Sequence, residues 1–224
     1  MKMTELIQKV RCDFAEFLEV HGQLGCQWVF SCEQDVQAFL YRMVFSTCQH
    51  RIITEHTMWL GVEAQPRWFL FDQTPEFFQA FGFQSRLTRM RKRLTELGAE
   101  KCSGIAGGRL DLALLASRNR NTPHLHVWET KFFSFGRSLQ KTLISCKTDS
   151  SRLLALKKEM QPFMHLTGEV IWIDPYTSFP SPKWKRICDE IHLWNRSHRS
   201  VPIRLWAFSN AGEPVFVGFP RHSI

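Results

Sequence analysis

The sequence predicts an α/β fold in which helices flank a mixed β-sheet, with an additional helical section at the N-terminus. Hydrophobic residues make up 44% of the 224 residues and include 19 Phe and 8 Trp, so the chain can bury a sizeable core. In the second half of the chain, short apolar runs alternate with longer amphipathic segments. A long helix between two strands favours a right-handed crossover and therefore parallel pairing within the sheet.

Two helices are predicted at the start of the chain. Apolar residues at helical spacing predict helices over 4–20 and over 31–46. Ser31, followed three residues later by Gln34, resembles a capping box at the start of the second helix.

A β-hairpin and a basic helix follow. Two apolar runs, 57–62 and 67–72, are separated by a short connection and predict the hairpin. The segment 85–98 predicts an amphipathic helix whose apolar stripe is surrounded by cations. The formal net charge of +8 and the pI of about 9.3 favour a polyanionic partner, most often nucleic acid. We therefore predict contacts with a nucleic-acid backbone from four side chains, namely Arg86, Arg89, Lys92 and Arg93. A solvated helix face is the alternative interpretation.

From residue 109 onward the predicted order is strand, strand, helix, strand, helix, strand, strand. The strands are predicted at 109–116, 124–133, 168–174, 202–208 and 214–219. The first helix covers 138–160, with a break near Thr148–Asp149. Ser181 and Pro182 fit the N-cap and the first position of the second helix.

The predicted organisation is an N-terminal section, 1–100, and a core, 101–224, in one compact unit. The number of cysteines is odd, at seven, and no CxxC pair occurs, which argues against a disulfide framework or a zinc knuckle. Reduced thiols in the cytoplasm are the simple interpretation. No apolar run approaches the roughly 20 residues of a membrane helix, and the first residues lack the apolar centre of a signal peptide.

Charged residues interrupt two neighbouring apolar strands. Glu129 and Lys131 are two positions apart and therefore point to the same face of their strand. Asp111 interrupts the preceding strand, and the short turn between the strands predicts an antiparallel pair in which Asp111 and Glu129 converge. Charges in such surroundings carry a large desolvation cost unless they are paired or bind a metal. An ordinary cross-strand salt bridge at a sheet edge is the alternative interpretation.

Two convergent carboxylates are oxygen ligands of the kind that a hard divalent cation such as Mg²⁺ prefers. The backbone carbonyl of Thr130 is a candidate third ligand. A metal held there lowers the pKa of a bound water and neutralises charge on a phosphate. Lys131, on the same face as Glu129, is placed to orient that water or to stabilise the transition state.

The segment GGRLDLALLASRNRNTPHLHVWETKFF, 107–133, resembles the PD-(D/E)xK nuclease superfamily, which carries an acid in one strand and E-x-K in the next. The resemblance implies a restriction-endonuclease-like core and places the metal and catalytic residues at Asp111, Glu129 and Lys131. Gly107 or Gly108 stands where such proteins often have a glycine-containing turn, whereas the proline of the superfamily's name is absent.

Two further parts of the resemblance concern helices. KTDSSRLLAL resembles a pattern in the helix after E-x-K, with matching positions Lys147, Asp149, Arg152 and Leu153. Many members also place a glutamate from an early helix against the metal site. Glu33 is the candidate for this catalytic and metal-binding position, and Glu55 is the second choice. The alternative is that Glu33 is present only because the helix macrodipole favours an acid in the first turn.

The resemblance implies a Mg²⁺- or Mn²⁺-dependent endonuclease that hydrolyses phosphodiester bonds, with DNA as the expected substrate. Phage defence and mobile-element processing are the expected settings, with a homodimer or a larger complex as the working form. The alternatives are an inactive module of the same fold that binds nucleic acid or a protein partner, and a structural or toxin-neutralising protein. His124 and His126, on the face opposite Glu129, are interpreted as structural or surface residues, and Asp174 as a turn residue.

Overall fold

The structure is a computed structural model that describes residues 3–23, 30–49, 56–64, 110–118, 124–133, 138–161, 165–179, 182–209 and 214–219. The predictions for the strand 67–72, the basic helix 85–98, Glu55, Gly107 and Gly108 concern residues outside these ranges.

The described part of the chain contains helices and strands in the predicted order. The helices are α1 (Met3–Gln23), α2 (Glu33–Gln49), α3 (Leu139–Met160) and α4 (Pro182–Ser197). The strands are β1 (His56–Ala64), β2 (Leu110–Arg118), β3 (His124–Phe132), β4 (His165–Phe179), β5 (Ile203–Ser209) and β6 (Pro214–Val217). Helix α4 begins at Pro182, as the missing amide hydrogen of proline favours.

The six strands form one mixed sheet in which spatial order follows chain order, from β1 to β6. Antiparallel pairing joins β1 to β2, β2 to β3 and β5 to β6. Parallel pairing joins β3 to β4 and β4 to β5, with α3 and α4 as the two crossovers. The predicted α/β class, with a mixed sheet flanked by helices and a helical N-terminal section, is confirmed.

The sheet carries a hydrophobic core on each face. Helices α1 and α2 cover one face, and the core there includes Leu18, Leu40, Leu114, Trp128 and Ile173. Helices α3 and α4 cover the other face, and the core there includes Leu143, Trp172, Trp184, Ile191 and Leu205. The alternation of side chains along each strand therefore decides which helical layer a given sheet residue meets.

The start of α2 differs from the prediction. The helix begins at Glu33, two residues after the predicted start, and the expected pairing of Ser31 with Gln34 is not what holds the preceding turn. Instead, the amide and the hydroxyl of Ser31 donate to the Asp35 carboxylate, at 2.8 and 2.5 Å. A carboxylate is the stronger acceptor, and near a helix N-terminus it is also favoured by the macrodipole.

The predicted break in α3 near Thr148–Asp149 is wrong, because the helix is continuous there. The Thr148 hydroxyl donates to the carbonyl oxygen of Ile144, 2.9 Å away in the preceding turn. A threonine whose hydroxyl is satisfied in this way can remain inside a helix. Asp149, also within the helix, has a partner on the sheet that is described below.

The interpretation of Asp174 as a turn residue is wrong as well. Strand β4 continues to Phe179, and Asp174 is fully buried and pairs with Ala207 of β5. The register shifts between Asp174 and Ser178, which marks an irregularity around Pro175. Proline cannot donate to the ladder, so a strand that passes through it does so at a bulge or an edge.

Among the described helices, none combines the length and the hydrophobicity that a membrane-spanning segment needs. The cysteines within the described ranges whose side chains are defined, Cys12, Cys32, Cys146 and Cys188, are free thiols.

Candidate functional site

Asp111 and Glu129 lie opposite each other on neighbouring strands. Leu112 of β2 pairs with Trp128 of β3 in the antiparallel register, and one further step along both strands brings Asp111 opposite Glu129. Leu112 and Trp128 belong to the core beneath α1 and α2, so Asp111 and Glu129 face the other way, toward α3. The two acids thus share one face of the sheet.

Asp111 is held in place by Thr130. Its Oδ2 atom accepts hydrogen bonds from the Thr130 amide at 2.7 Å and from the Thr130 hydroxyl at 2.9 Å. The carbonyl oxygen of Thr130, expected from the sequence to be a metal ligand, accepts a hydrogen bond from Lys131 Nζ at 2.8 Å. These contacts orient the Asp111 side chain along the strand that carries E-x-K.

The Lys131 ammonium lies among acids from two helices. Its Nζ atom is 3.0 Å from Asp149 Oδ2 of α3 and 3.7 Å from Glu33 Oε1 of α2. Burial alone would lower the pKa of Lys131, but the carboxylates of Asp149 and Glu33 outweigh it and raise the pKa above its ordinary value of 10.5. Lys131 is therefore a fixed positive charge at physiological pH.

Glu129 is the most deeply buried charge of the group, with 1% of its surface exposed. Its Oε1 atom accepts a hydrogen bond from Arg152 Nη2 of α3 at 2.6 Å. Burial, and next the nearby carboxylate of Asp111, raise the pKa of Glu129 to about 8, although Arg152 opposes the change. One arginine thus compensates only part of the cost of an ionised carboxylate at this position.

Glu33, the first residue of α2, reaches the same group from the other helical layer. Its carboxylate accepts a hydrogen bond from the backbone amide of Phe132 and lies beside Lys131. Burial raises the pKa of Glu33, and the carboxylate of Asp111 adds to that effect. The structure therefore brings Glu33 to the predicted residues, whereas its rival Glu55 lies outside the described ranges.

We use the term acid cluster for the carboxyl groups of Glu33, Asp111, Glu129 and Asp149, which interact with the cations Lys131 and Arg152. Four carboxyl groups face two cations, so the cluster has an excess of two negative charges when every group is ionised. That charge and the oxygen donors suit a hard divalent cation. In their present positions, however, no three His, Cys, Asp or Glu residues of the described ranges lie close enough to hold a metal together.

The two acids on the strands already have partners. Glu129 is engaged with Arg152, and Asp111 with Thr130. The donor set fits a divalent cation in type and charge.

The four residues of α3 that match the superfamily's helix pattern fall into two groups. Asp149 and Arg152 contact the E-x-K strand, and they are 4.0 Å apart between Oδ1 and Nη2. Lys147 instead pairs with Glu190 of α4 at 2.8 Å, and Leu153 is buried in the core. Sequence reasoning identified Asp149 and Arg152 by a pattern but did not assign their contacts.

A second buried glutamate, Glu169 of β4, was missed from the sequence. It lies on the face of the sheet that α1 covers, and it is fully buried. Its Oε2 atom accepts hydrogen bonds from Arg11 Nε at 2.9 Å and from Arg204 Nε, and its Oε1 atom accepts one from Trp128 Nε1 at 2.8 Å. Burial would raise the pKa of Glu169, but the two guanidinium groups and the His126 side chain outweigh it and hold the pKa well below 4.5.

The signal for Glu169 was present in the sequence. It is an acid inside the apolar run EVIWI, just as Asp111 is an acid inside LDLALL. Sequence alternation alone does not show which helical layer such an acid meets.

His124 and His126 lie on the face opposite Glu129, as predicted. His124 Nε2 and His126 Nδ1 both contact the Thr167 hydroxyl, at 2.7 and 2.8 Å. Burial lowers the pKa of His124 to about 4 and also lowers the pKa of His126, so both rings are neutral near pH 7. Their contacts give them a structural part in the fold.

The predicted nucleic-acid contacts at Arg86, Arg89, Lys92 and Arg93 lie outside the described residues.

No protein-family model matches this sequence, and no curated protein matches it. A solved structure of SfsA from Pyrococcus furiosus in complex with Ca²⁺ is similar over 82% of this chain, with 10% identity and a TM-score of 0.30. The match covers 62% of that protein, so the chain spans about three fifths of its length. The likeness is weak and distant and concerns the arrangement of helices and strands.

Proposed function

We propose that this chain is a metal-dependent nuclease that hydrolyses phosphodiester bonds, with DNA as the expected substrate. One observation carries the proposal. Asp111, Glu129 and Lys131 come together on two adjacent strands, and the Glu33 carboxylate from α2 lies 3.7 Å from the Lys131 ammonium. A partly buried cluster in which acids outnumber cations is stabilised by further positive charge or by bound protons.

In the proposed site, Asp111 and Glu129 hold Mg²⁺ or Mn²⁺, with the Thr130 carbonyl and Glu33 as further oxygen donors. The metal supplies a water of lowered pKa and neutralises charge on the phosphate. Lys131 is kept protonated by Asp149 and Glu33, so its task is to hold a phosphate oxygen or the attacking water, not to remove a proton.

The charge of the whole chain supports a polyanionic substrate. A formal net charge of +8 attracts nucleic acid over long distances at low salt. Arg86, Arg89, Lys92 and Arg93 are proposed to contact the phosphate backbone. Cutting both strands of a duplex needs two centres, so a homodimer or a larger complex is the proposed working form.

A specific observation favours a second candidate function. The Glu129 carboxylate is already paired with Arg152 at 2.6 Å, and the described ranges hold no ready three-ligand set. These features suit a module of the same fold that binds nucleic acid or a protein partner without cutting. In that case the cluster has a structural task.

A cleavage assay with matched controls tests the first proposal. Labelled single-stranded DNA, duplex DNA and RNA are incubated with the chain in Mg²⁺, in Mn²⁺ and in excess chelator. Asp111→Asn and Lys131→Met should each reduce cleavage by about 10²-fold or more, because each removes a charge placed at the reacting phosphate. Asp13→Asn and Lys9→Met are the controls, since they remove the same charges from an exposed ion pair on α1.

Cleavage that survives both cluster substitutions rejects the assignment. If wild type binds DNA with a steep salt dependence and does not cut in any metal, the non-catalytic module is the correct function.

A further inference from the structure

Arg152 is the direct partner of the most buried carboxylate in the acid cluster. Its Nη2 atom is 2.6 Å from Glu129 Oε1, which is a short, charge-assisted hydrogen bond. Glu129 is 1% exposed, while the Arg152 side chain is 27% exposed and reaches inward from α3. The pair therefore joins a group that cannot reach water to one that can.

Breaking the ion pair would have a different cost for Glu129 than for Arg152. An ionised Glu129 left without a cation would carry the full cost of a buried, unpaired charge. Arg152 has a long side chain that is partly in solvent, and Asp149 Oδ1 lies 4.0 Å from its Nη2 atom as an alternative partner one helical turn away. A cation that replaced Arg152 at Glu129 would thus leave the arginine with both water and a carboxylate.

Arg152 also occupies a position at which a metal would need to bind. Asp111 and Glu129 face each other on adjacent strands, and the guanidinium group holds one oxygen of that pair. A carboxylate oxygen that accepts a short bond from an arginine has less electron density to offer a metal, and two cations on one oxygen repel each other.

We propose that Arg152 is a built-in competitor for the metal: it occupies the Glu129 carboxyl group in the resting protein, and a divalent cation binds only when it displaces the guanidinium group from that position. This inference rests on the proposed function and concerns the regulation of the same site. Metal binding would then be coupled to a movement of the Arg152 side chain toward Asp149 and solvent.

Calorimetric titration of the full chain with Mg²⁺ alone and Mn²⁺ alone tests the proposal. Arg152→Gln should bind either ion at least about tenfold more tightly than wild type, because the competing charge is gone. A residue that merely supported the metal ligands would give the opposite sign, a loss of about 10–100-fold. Arg152→Lys keeps the charge and should stay near wild type.

Arg186→Gln is the matched control. It removes one arginine from an ion pair with Glu190 on α4, so it reports the effect of lower net charge alone. Its affinity should equal that of wild type. A second readout is the rise in thermal midpoint on adding Mg²⁺, which should be larger for Arg152→Gln than for wild type.

The outcomes separate the two proposals. If wild type binds metal and Arg152→Gln binds it equally or more weakly, the competition is refuted while the proposed nuclease stands. If none of the four proteins binds either ion, both are refuted. Tighter binding by Arg152→Gln, with Arg186→Gln unchanged, supports both.

A measurement on wild type covers the case in which Arg152→Gln does not fold. Nitrogen-15 NMR of the arginine side chains detects the slowed rotation of a guanidinium group that is held by a carboxylate. Saturating Mg²⁺ should release one such signal in wild type, and the same signal should already be missing from Glu129→Gln without metal. A wild-type spectrum that keeps this signal at saturating Mg²⁺ contradicts displacement.

Discussion

Glu129 and Glu169 are both buried glutamates that accept hydrogen bonds from arginine. They lie on opposite faces of the sheet, and their pKa values are shifted in opposite directions. Burial and the Asp111 carboxylate raise the pKa of Glu129 to about 8. The pKa of Glu169 is held well below 4.5, because two arginines outweigh the effect of its burial. Burial is similar for the two groups, so it does not explain the difference.

The neighbours explain it. Glu169 has Arg11, Arg204 and the indole of Trp128 as donors, and the groups that act on it most strongly all favour its ionised form. Glu129 has a single arginine and shares its site with other carboxylates. A buried acid that its neighbours fully satisfy is a structural group. A buried acid whose neighbours supply too little positive charge can bind a further cation.

The largest expected effect in this comparison is from Glu169→Gln. Removing this charge leaves two arginines facing a neutral amide, and breaking a buried pair costs about 3–5 kcal/mol of unfolding free energy. Urea denaturation at pH 7 measures the loss. Glu190→Gln is the control, because its ion pairs are partly exposed and worth about 0–1 kcal/mol. Equal losses in both variants would contradict the structural role of Glu169.

The same variant has a defined pH dependence. The folded pKa of Glu169 is depressed, so its stabilisation is fully present above the unfolded pKa near 4.5 and is lost as pH falls through the lower folded value. Wild type should lose this part of its stability in acid, whereas Glu169→Gln should not.

The next prediction compares the two arginines that donate hydrogen bonds to Glu169. Arg204 is buried and also donates to the Gly218 carbonyl oxygen, whereas the Arg11 side chain is partly exposed. Arg204→Gln should therefore cost about 1.5–3 kcal/mol, the range for hydrogen bonds to charged groups, and Arg11→Gln should cost less. Denaturant midpoints of the two variants, measured at one pH, test the ranking. An Arg11 loss equal to or larger than the Arg204 loss would reverse it.

The remaining expected effect has the opposite sign. Glu129→Gln should stabilise the metal-free protein by at least about 1 kcal/mol at pH 9, because it removes a carboxylate that is costly to ionise when buried. The folded pKa of about 8 lies above the unfolded one, so wild type loses stability as pH rises from about 4.5 to 8. The gain should vanish near pH 4, where both states are protonated. Stability curves in chelator at several pH values measure it, and a gain that does not change with pH would argue against this titration.

Local pattern was sufficient to predict the strands β1 to β6 and the shared face of Asp111 and Glu129. The alternation along each strand places these side chains, and the short turn between β2 and β3 leaves antiparallel pairing as the simple solution. The crossover helix and the parallel β3–β4 pair follow from the same reasoning. The functional assignment of these residues stays a prediction.

Other contacts lie beyond local pattern. Whether Asp149 and Arg152 meet Lys131 and Glu129 depends on how α3 is rotated over the sheet, and the sequence spacing does not determine that rotation. The contact between Arg11 and Glu169 joins residues 158 positions apart, so no local signal relates them. Asp174 was misread because a strand that continues through a bulge has the same local residues as a strand that ends at a proline.

The strand order, in which each strand lies beside its neighbour in the chain, has a kinetic consequence. Most of the sheet can form by adding one strand at a time, with only short or helical connections to close from β2 onward. Helix α1 waits longest, because its Arg11 meets Glu169 only after β4 has joined the sheet. We therefore expect α1 to dock late in folding and to open first, and its amide hydrogens should exchange with deuterium sooner than those of β3 and β4.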